Sequence, residues 1–338
     1  MATSSDVANH AGVSRSTVSQ IFNGNEELFA EETVTRVRAA AHELGYRPSI
    51  AGRSLRRGRS DIVITLIPDV TFNTRVRELV DTITDGLSEA GFTNLLQIAG
   101  RGEVLRDAVV DLRPYGLVTL TPLPDQLRER LRAQGVRIIE QSATLQAAID
   151  HAIGRLQAQH LAEAGYRTIA VVAPTDTREQ SYATPRDAGV REWGQQHGLT
   201  VLPTVHISLD RSEAARAVRD LPAELVGIAA YNDEIALSIL GAALAQGRAV
   251  PDELGIVGID NTPIAHASTP SIASIDYDMQ FSAQEIVRAL LSDTPPIVDE
   301  RGELEVERRL NVVPGGTTRR EADRGDRMVA ATENKGTR

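Results

Sequence analysis

Residues 11–19 read AGVSRSTVS, and this stretch decides how the start of the chain is read. Gly12 can end one helix, and Ser14 can cap the next by accepting from an orphan backbone N–H. Working backwards, Thr3 or Ser4 caps a helix to about Ala11, with Val7, Ala8 and Ala11 on one face. Working forwards, Val18, Ile21 and Phe22 form the apolar face of a second helix, and Asn23-Gly24 turns the chain. Glu31 and Glu32 open a third helix, where carboxylates suit the N-terminal dipole. Val34, Val37, Ala41 and Leu44 give that helix an inward stripe, and Gly45 and Pro48 stop it. A helix, a glycine turn and a Ser-capped helix with small polar residues outward is the form of a helix-turn-helix. In that motif the second helix reaches base edges in the major groove. Arg15, Ser16 and Gln20 lie on its exposed face; Arg can bridge guanine O6 and N7, and Gln can pair with adenine. Any small three-helix domain has similar spacing, so periodicity alone leaves both readings open.

Charge separates the start of the chain from the rest. The 338 residues carry a formal net charge of −10. Residues 1–60 hold eight arginines against six acidic residues, a net of +2, so the remainder carries −12. Arg47 to Arg59 contains five arginines and no acid. A basic stripe on an acidic body can face nucleic acid while the other faces repel it. Arginine replaces lysine almost throughout, Lys335 being the one lysine, a bias that reads as a GC-rich genome. There are no cysteines, which excludes disulfides and thiolate chemistry and fits a reducing cytoplasm. No stretch approaches the run of about 20 apolar residues that spans a bilayer. MATSSDVANH has no basic-then-apolar signal pattern, so a cytoplasmic, nucleoid-associated protein without a membrane partner is expected.

From residue 61 the texture changes. Candidate strands fall at 62–67, 95–98, 116–120, 136–139, 168–173, 201–207, 225–230, 254–258 and 272–275. Amphipathic helices fall between them, near 75–90, 103–111, 125–134, 150–164, 185–197, 211–220, 233–246 and 278–292. Repeated βαβ units with buried strands mean parallel, doubly wound sheets, and nine strands are many for one sheet, so two lobes are expected. Residues 319–338 are polar and highly charged, a composition expected to stay disordered.

Enzyme readings find little support. Gly100-Arg101-Gly102 is followed by Glu103, so the third glycine of a dinucleotide fingerprint is missing. There is no P-loop, no GxSxG elbow and no HExxH, and the histidines are scattered. His151, His160 and Trp193 read as packing or surface residues. No catalytic residue, metal or cofactor is expected. The alternative of a solute-binding-type protein, or an α/β enzyme without a DNA role, would explain residues 61–318 but not the first sixty.

DVANHAGVSRSTVSQIFNG (6–24) and TVTRVRAAAHELGYRPS (33–49) resemble the signature of the lactose-repressor (LacI/GalR) family, and a looser similarity continues to about residue 318. The resemblance implies a helix-turn-helix at 1–47, a hinge at 48–60 and an effector-binding and dimerisation domain at 61–318. That domain would be a two-lobed periplasmic-binding-protein-like (type I) α/β fold. Its N-lobe would hold about 61–142 and 276–298, and its C-lobe about 146–275 and 303–318. Arg15 and Ser16, behind the capping Ser14, would start the base-reading surface, with Thr17 on phosphate and Gln20 completing it. Thr3, Ser5, Asn23 and Arg47 would hold the backbone, because phosphate contacts position the module and base contacts specify the site. In PSIAGRSLRRGRS (48–60), Leu55 stands where the family inserts a hinge-helix leucine into the minor groove. Arg53, Arg56 and Arg57 would face phosphates. Three positions depart from the pattern: Gly52 for alanine, Ser49 for asparagine, and Ala30 for the serine that caps the third helix.

In the body, TPRDAGVREW (184–193) matches a ligand-reaching arginine, here Arg186. AAYNDEIAL (229–237) matches an Asn-Asp pair, Asn232 and Asp233, and LGIVGIDNTP (254–263) matches a segment ending in Asp260. Carboxylate, amide and guanidinium groups together suit polyol hydroxyls. An N-terminal helix charge is the other reading of Asp233, and a turn residue that of Asp260. The first strand exit reads Asn73, Thr74, Arg75, Val76 where the family has Asn-Pro and two aromatics, so an aromatic platform is replaced by a cation; the fourth delivers Glu140 and Gln141 in place of Asp-Arg, and Pro314-Gly315-Gly316 replaces Arg-x-Ser. Arg75 and Arg186 would make the cleft positive and favour an anionic or phosphorylated effector over a plain sugar; alternatively Arg75 only bridges the lobes. The expected protein is a homodimeric regulator, a repressor, on a near-palindromic double-stranded operator, answering to a small-molecule effector.

Overall fold

Thr3 starts the first helix by a reciprocal cap: Asp6 N donates to Thr3 Oγ1 at 3.3 Å, and Thr3 N donates to Asp6 Oδ2 at 2.7 Å. The computed structural model describes residues 2–22, 25–46, 60–69, 74–100, 104–140, 143–292 and 308–319. Asn23, Arg47, Arg53, Leu55, Arg56 and Asn73 lie outside them, as do the hinge stretch 48–59 and the tail from 320. Helix α1 (Ser4–Ala11) ends at Gly12, whose φ of +64° favours glycine. Helix α2 (Arg15–Ile21) is capped by Ser14, which accepts from Thr17 N at 3.0 Å. Helix α3 (Glu31–Glu43) begins at Ala30, which has no hydroxyl and makes no side-chain cap. The three helices close over Val7, Ala8, Ala11, Val18, Ile21, Val37, Ala40 and Ala41. Arg36 fastens α3 to α1 by donating to Ala11 O at 2.9 Å.

The body consists of two sandwiched sheets. The first has four parallel strands: β1 (Ile62–Ile67), β2 (Thr93–Ile98), β3 (Gly116–Thr119) and β4 (Arg137–Glu140), in the order β2-β1-β3-β4. Helices α4 (Thr74–Glu89), α5 (Asp107–Val110) and α6 (Asp125–Ala133) connect them. β1 is buried on both faces, as an unbroken IVITLI run requires. The chain then passes to the second lobe through α7 (Ala143–Glu163), β5 (Thr168–Pro174), α8 (Gln180–Gln196), β6 (Thr200–Val201) and β7 (Val205–Ile207). It continues through α9 (Arg211–Asp220), β8 (Val226–Ala230), α10 (Asp233–Ala245), β9 (Leu254–Ile259), α11 (Pro263–Ala267) and β10 (Ala273–Tyr277). Helix α12 (Met279–Leu291) returns to the first lobe, where Ala283, Val287 and Leu290 pack with Val63, Leu79 and Ile83. The closing strand β11 (Leu310–Val313) goes back to the second sheet, ordered β11-β10-β9-β8-β5-β6 with β7 also beside β5. The described elements thus alternate between the lobes three times.

The second sheet departs from the all-parallel expectation at its edge, where β11 runs antiparallel to β10. Gly315 makes this edge possible: a Cβ there would lie 2.4 Å from Ala273 N. The expected strand at 201–207 is two short strands, β6 and β7. α7 and α8 begin earlier than their apolar periodicity suggested, and α8 takes Pro185 into its interior. No helix among the described residues is long and apolar enough to cross a membrane.

Candidate functional site

Two places collect the residues singled out from sequence. On the helical unit, Arg15 and Ser16 are exposed on α2, while Thr17 and Gln20 are half-buried. Arg15 Nε donates to Ser4 Oγ at 3.1 Å, so its guanidinium lies over the start of α1. Ser14 Oγ and Thr17 Oγ1 are 2.9 Å apart and share a hydrogen bond. Thr3 spends its hydroxyl on Asp6, and Ser5 is exposed beside it.

The second place is a cavity of about 190 Å³ between the lobes. It lies beyond the C-terminal ends of β1, β8 and β9, where an open α/β sheet leaves a crevice. Arg75, Arg186, Asn232 and Asp260 all line it, joined by Asp150, Glu179, Tyr182 and Tyr231. Pro68, Leu120, Ile149, Ile153, Ile275 and Met279 are among its apolar walls.

Arg186, on α8, is the centre of a bonded group. Its Nε donates to Asp150 Oδ1 at 2.7 Å and its Nη1 to Tyr231 O at 2.8 Å. The guanidinium carbon lies 4.7 Å from the Tyr231 ring centroid. Asp150 is fully buried on α7 and also accepts from Gln146 Nε2 at 2.7 Å. Tyr231 donates its hydroxyl to Glu179 Oε2 at 2.6 Å. Burial raises the Asp150 and Asp260 carboxyls, and Arg186 pulls both back; Asp260 is left at about 6. Burial works against the Arg186 charge, but Asp150, Tyr231 and Asp260 outweigh it and keep the guanidinium charged. Asn232 caps α10, accepting from Ile235 N at 2.9 Å and donating to Glu234 Oε2 at 3.0 Å.

Two expected contacts have other partners. Glu140 is held outside the cavity by Arg128, at 2.8 and 2.9 Å, and by Leu123 N at 2.9 Å. Those bonds, with Arg128 first, hold its carboxyl below the usual range. Asp233 is also off the cavity wall, only 1% exposed, and is bonded to Thr262 and Ser274. The expectation of a positive cleft also needs correction. Arg75 donates to Glu78 at 2.9 Å, to Asp276 at 2.9 Å and to Tyr277 O. Both arginines are already matched to carboxylates, and Asp150, Glu179 and Asp260 outnumber them on the wall. Arg75 therefore bridges the lobes and lines the cavity at once.

Asp150, Glu179 and Tyr231 were not picked out from sequence. Asp150 had a usable signal: a carboxylate between Ile149 and Ile153 on the inward face of a helix. Glu179, in a short 3-10 turn (Thr177–Glu179), and Tyr231, just past β8, had none, because such short connections show no periodicity. Among the described residues, no cluster of three or more His, Asp or Glu is placed to hold a metal.

The family described as bacterial regulatory proteins, lacI family, matches residues 3–49, and the periplasmic binding protein-like domain matches 158–318. The ribose operon repressor of Halalkalibacterium halodurans is 29% identical over 296 residues, covering 82% of this chain and 87% of that protein. The HTH-type transcriptional regulator CelR of Thermobifida fusca is 27% identical over 332 residues, covering 92% and 97%. Among solved structures, the Lac repressor bound to ONPG superposes with a TM-score of 0.71 at 20% identity, over 94% of this chain and 99% of that one, which shows the shared fold. The chain thus carries a DNA-binding unit of the lacI family of bacterial regulatory proteins at 3–49, followed by a periplasmic binding protein-like domain at 158–318.

Proposed function

We propose that this protein is a cytoplasmic transcriptional repressor that binds a near-palindromic operator as a homodimer and releases or grips it according to a neutral, hydroxyl-rich molecule held between its lobes. The observation that carries the effector half is the Arg186–Asp150 pair beside Asp260. A guanidinium and carboxylates in one wall offer donors and acceptors side by side, the arrangement that vicinal hydroxyls satisfy. A phosphorylated ligand would meet Asp150, Glu179 and Asp260 with both arginines already engaged, a repulsive match in a half-dry cavity. One relative carries the name ribose operon repressor, which agrees with a sugar-like effector. The cleft is read as a binding site and not a catalytic one, since Asp150 and Glu179 are each held by neighbours.

The DNA half rests on α2, whose exposed Arg15 and Ser16 follow the Ser14 cap. One such helix spans few base pairs, so two related half-sites supply affinity. Thr17 and Ser5 are assigned to phosphates, Arg15, Ser16 and Gln20 to bases, and Leu55 to a minor-groove wedge flanked by Arg53 and Arg56.

Selection from a random DNA library at fixed salt, followed by effector titration of the complex, tests both halves. The expected results are a palindromic motif of about 14–20 base pairs and a change in affinity with a neutral sugar. Response to sugar phosphates with none to neutral sugars would overturn the neutral-effector reading. No motif, with or without pooled metabolites, would overturn the operator reading.

A further inference from the structure

The loop that carries Asp260 into the cavity is costly to hold. Asp260 has φ +96° and Asn261 has φ +48°, two successive non-glycine residues in the left-handed region. The Asn261 Oδ1 atom is buried with no hydrogen-bond partner among the described residues. Left to itself, such a loop would relax and carry Asp260 away from Arg186.

One buried carboxylate gathers the loop. Asp233 Oδ2 accepts from Thr262 N at 2.7 Å and from Thr262 Oγ1 at 2.8 Å. Asp233 Oδ1 accepts from Ser274 Oγ at 2.7 Å, and Ser274 Oγ in turn accepts from Asn261 N at 2.9 Å. Asp260 N donates to Ile275 O at 2.9 Å, so Asp260 and Asn261 are both fixed to β10. Room for the carboxylate is built in: a Cβ on Gly258 would sit 2.2 Å from Asp233 Oδ1. Three donors meet one buried charge, and charge-assisted bonds of this kind are the stronger ones.

We infer that Asp233 is a positioning residue of the effector site, holding the left-handed Asp260-Asn261 turn in place through Thr262 and Ser274 so that Asp260 faces Arg186. The inference rests on the cleft reading above for its functional meaning, but the geometry it claims is independent of any ligand. It also explains why the Asn232-Asp233 pair splits in role, one residue on the wall and the other behind it.

Amide hydrogen exchange on the ligand-free full chain tests it. Asp233→Ala is expected to lose protection at Asp260, Asn261 and Thr262 by at least about tenfold, the scale of a buried charge-assisted bond, while β8 and β5 keep theirs. Ser274→Ala, a milder change, removes the acceptor of Asn261 N and one of the three donors to Asp233 but leaves both Thr262 bonds, and should expose Asn261 more than Thr262. Adding Asn261→Gly to Asp233→Ala removes the strain at that position and should restore part of the protection at Asp260, a rescue that a merely structural role would not give. Unchanged exchange at Asn261 and Thr262, or equal loss across the whole lobe without rescue, would overturn the inference. With the neutral sugar that acts most strongly on the operator complex, Asp233→Ala and Asp260→Asn are expected to be non-additive; additive losses would also overturn it. A protein that answers to no sugar yet shows the local exchange pattern would sink the effector reading and leave Asp233's role standing.

Discussion

Asp260 shows how much one residue's surroundings matter. Its carboxyl lines the cavity and is pushed up to about 6 by burial, against the pull of Arg186, from an ordinary 3.8. Between those two values the folded chain keeps a proton that the unfolded chain has released. Stability therefore falls as pH rises through that window, and the penalty is complete above about 6. Asparagine has no proton to lose. Asp260→Asn is expected to be more stable than the parent at pH 7.5 by about 3 kcal/mol and nearly equal at the acid end of the window. Urea unfolding of the ligand-free protein at both pH values checks this, and parallel pH dependence of the two proteins would contradict it. The same substitution should weaken effector binding, the exchange of stability for function expected at a binding site. Residue identity was legible here, since Asp260, Arg186 and Arg75 stand on the cavity wall as expected from sequence. Orientation was not: Glu140 ends β4 in one lobe and Asp233 begins α10 in the other, yet they turn to Arg128 and to Thr262. Sequence names the group at a strand end, but a rotamer is chosen by partners far along the chain.

At the scale of elements, α7 and α8 cross so closely that their backbones touch through glycines. A Cβ on Gly154 would lie 2.0 Å from Arg186 O, and one on Gly189 would lie 2.1 Å from His151 O. This crossing sets the distance between Asp150 on one helix and Arg186 on the other. Gly154→Ala is expected to push the helices apart and destabilise the protein by about 1–3 kcal/mol, with weaker effector binding as a second consequence. A shift of the urea midpoint without change of slope would measure it; an unchanged midpoint would mean that the crossing relaxes freely. The caps at Thr3 and Ser14 and the stop at Gly12 were readable because each is a local event of three or four residues. The helix crossing was not, since Gly154 and Gly189 look like ordinary helix interruptions until the partner helix is in place.

At the scale of the whole molecule, the two lobes are tied by charges on either side of the cleft. Arg178 of the second lobe donates to Asp69, just past β1, at 3.1 Å. Arg75 of the first lobe donates to Asp276 of β10 at 2.9 Å. The Asp69–Arg178 pair is partly exposed, so its worth is small. Asp69→Ala is expected to speed effector release by no more than about fivefold and to leave the melting temperature near that of the parent. Stopped-flow displacement of the effector checks this, and slower release would show that the pair opposes closure. Any change of lobe angle on ligand binding biases operator affinity only through differential binding to the two forms.

By itself the sequence determined the helix-turn-helix, the alternation of strands and helices, the division into two lobes and the residues of the cavity that sit at strand ends. These are encoded in short-range periods, caps and turns, and such signals survive without knowledge of neighbours. The tertiary structure alone decided that β11 pairs antiparallel with β10, that Asp150 and Glu179 join Arg186, and that both cleft arginines are neutralised by carboxylates. Each of those depends on groups from separate elements meeting in space, where burial and hydrogen-bond partners, not sequence spacing, set the balance of charge.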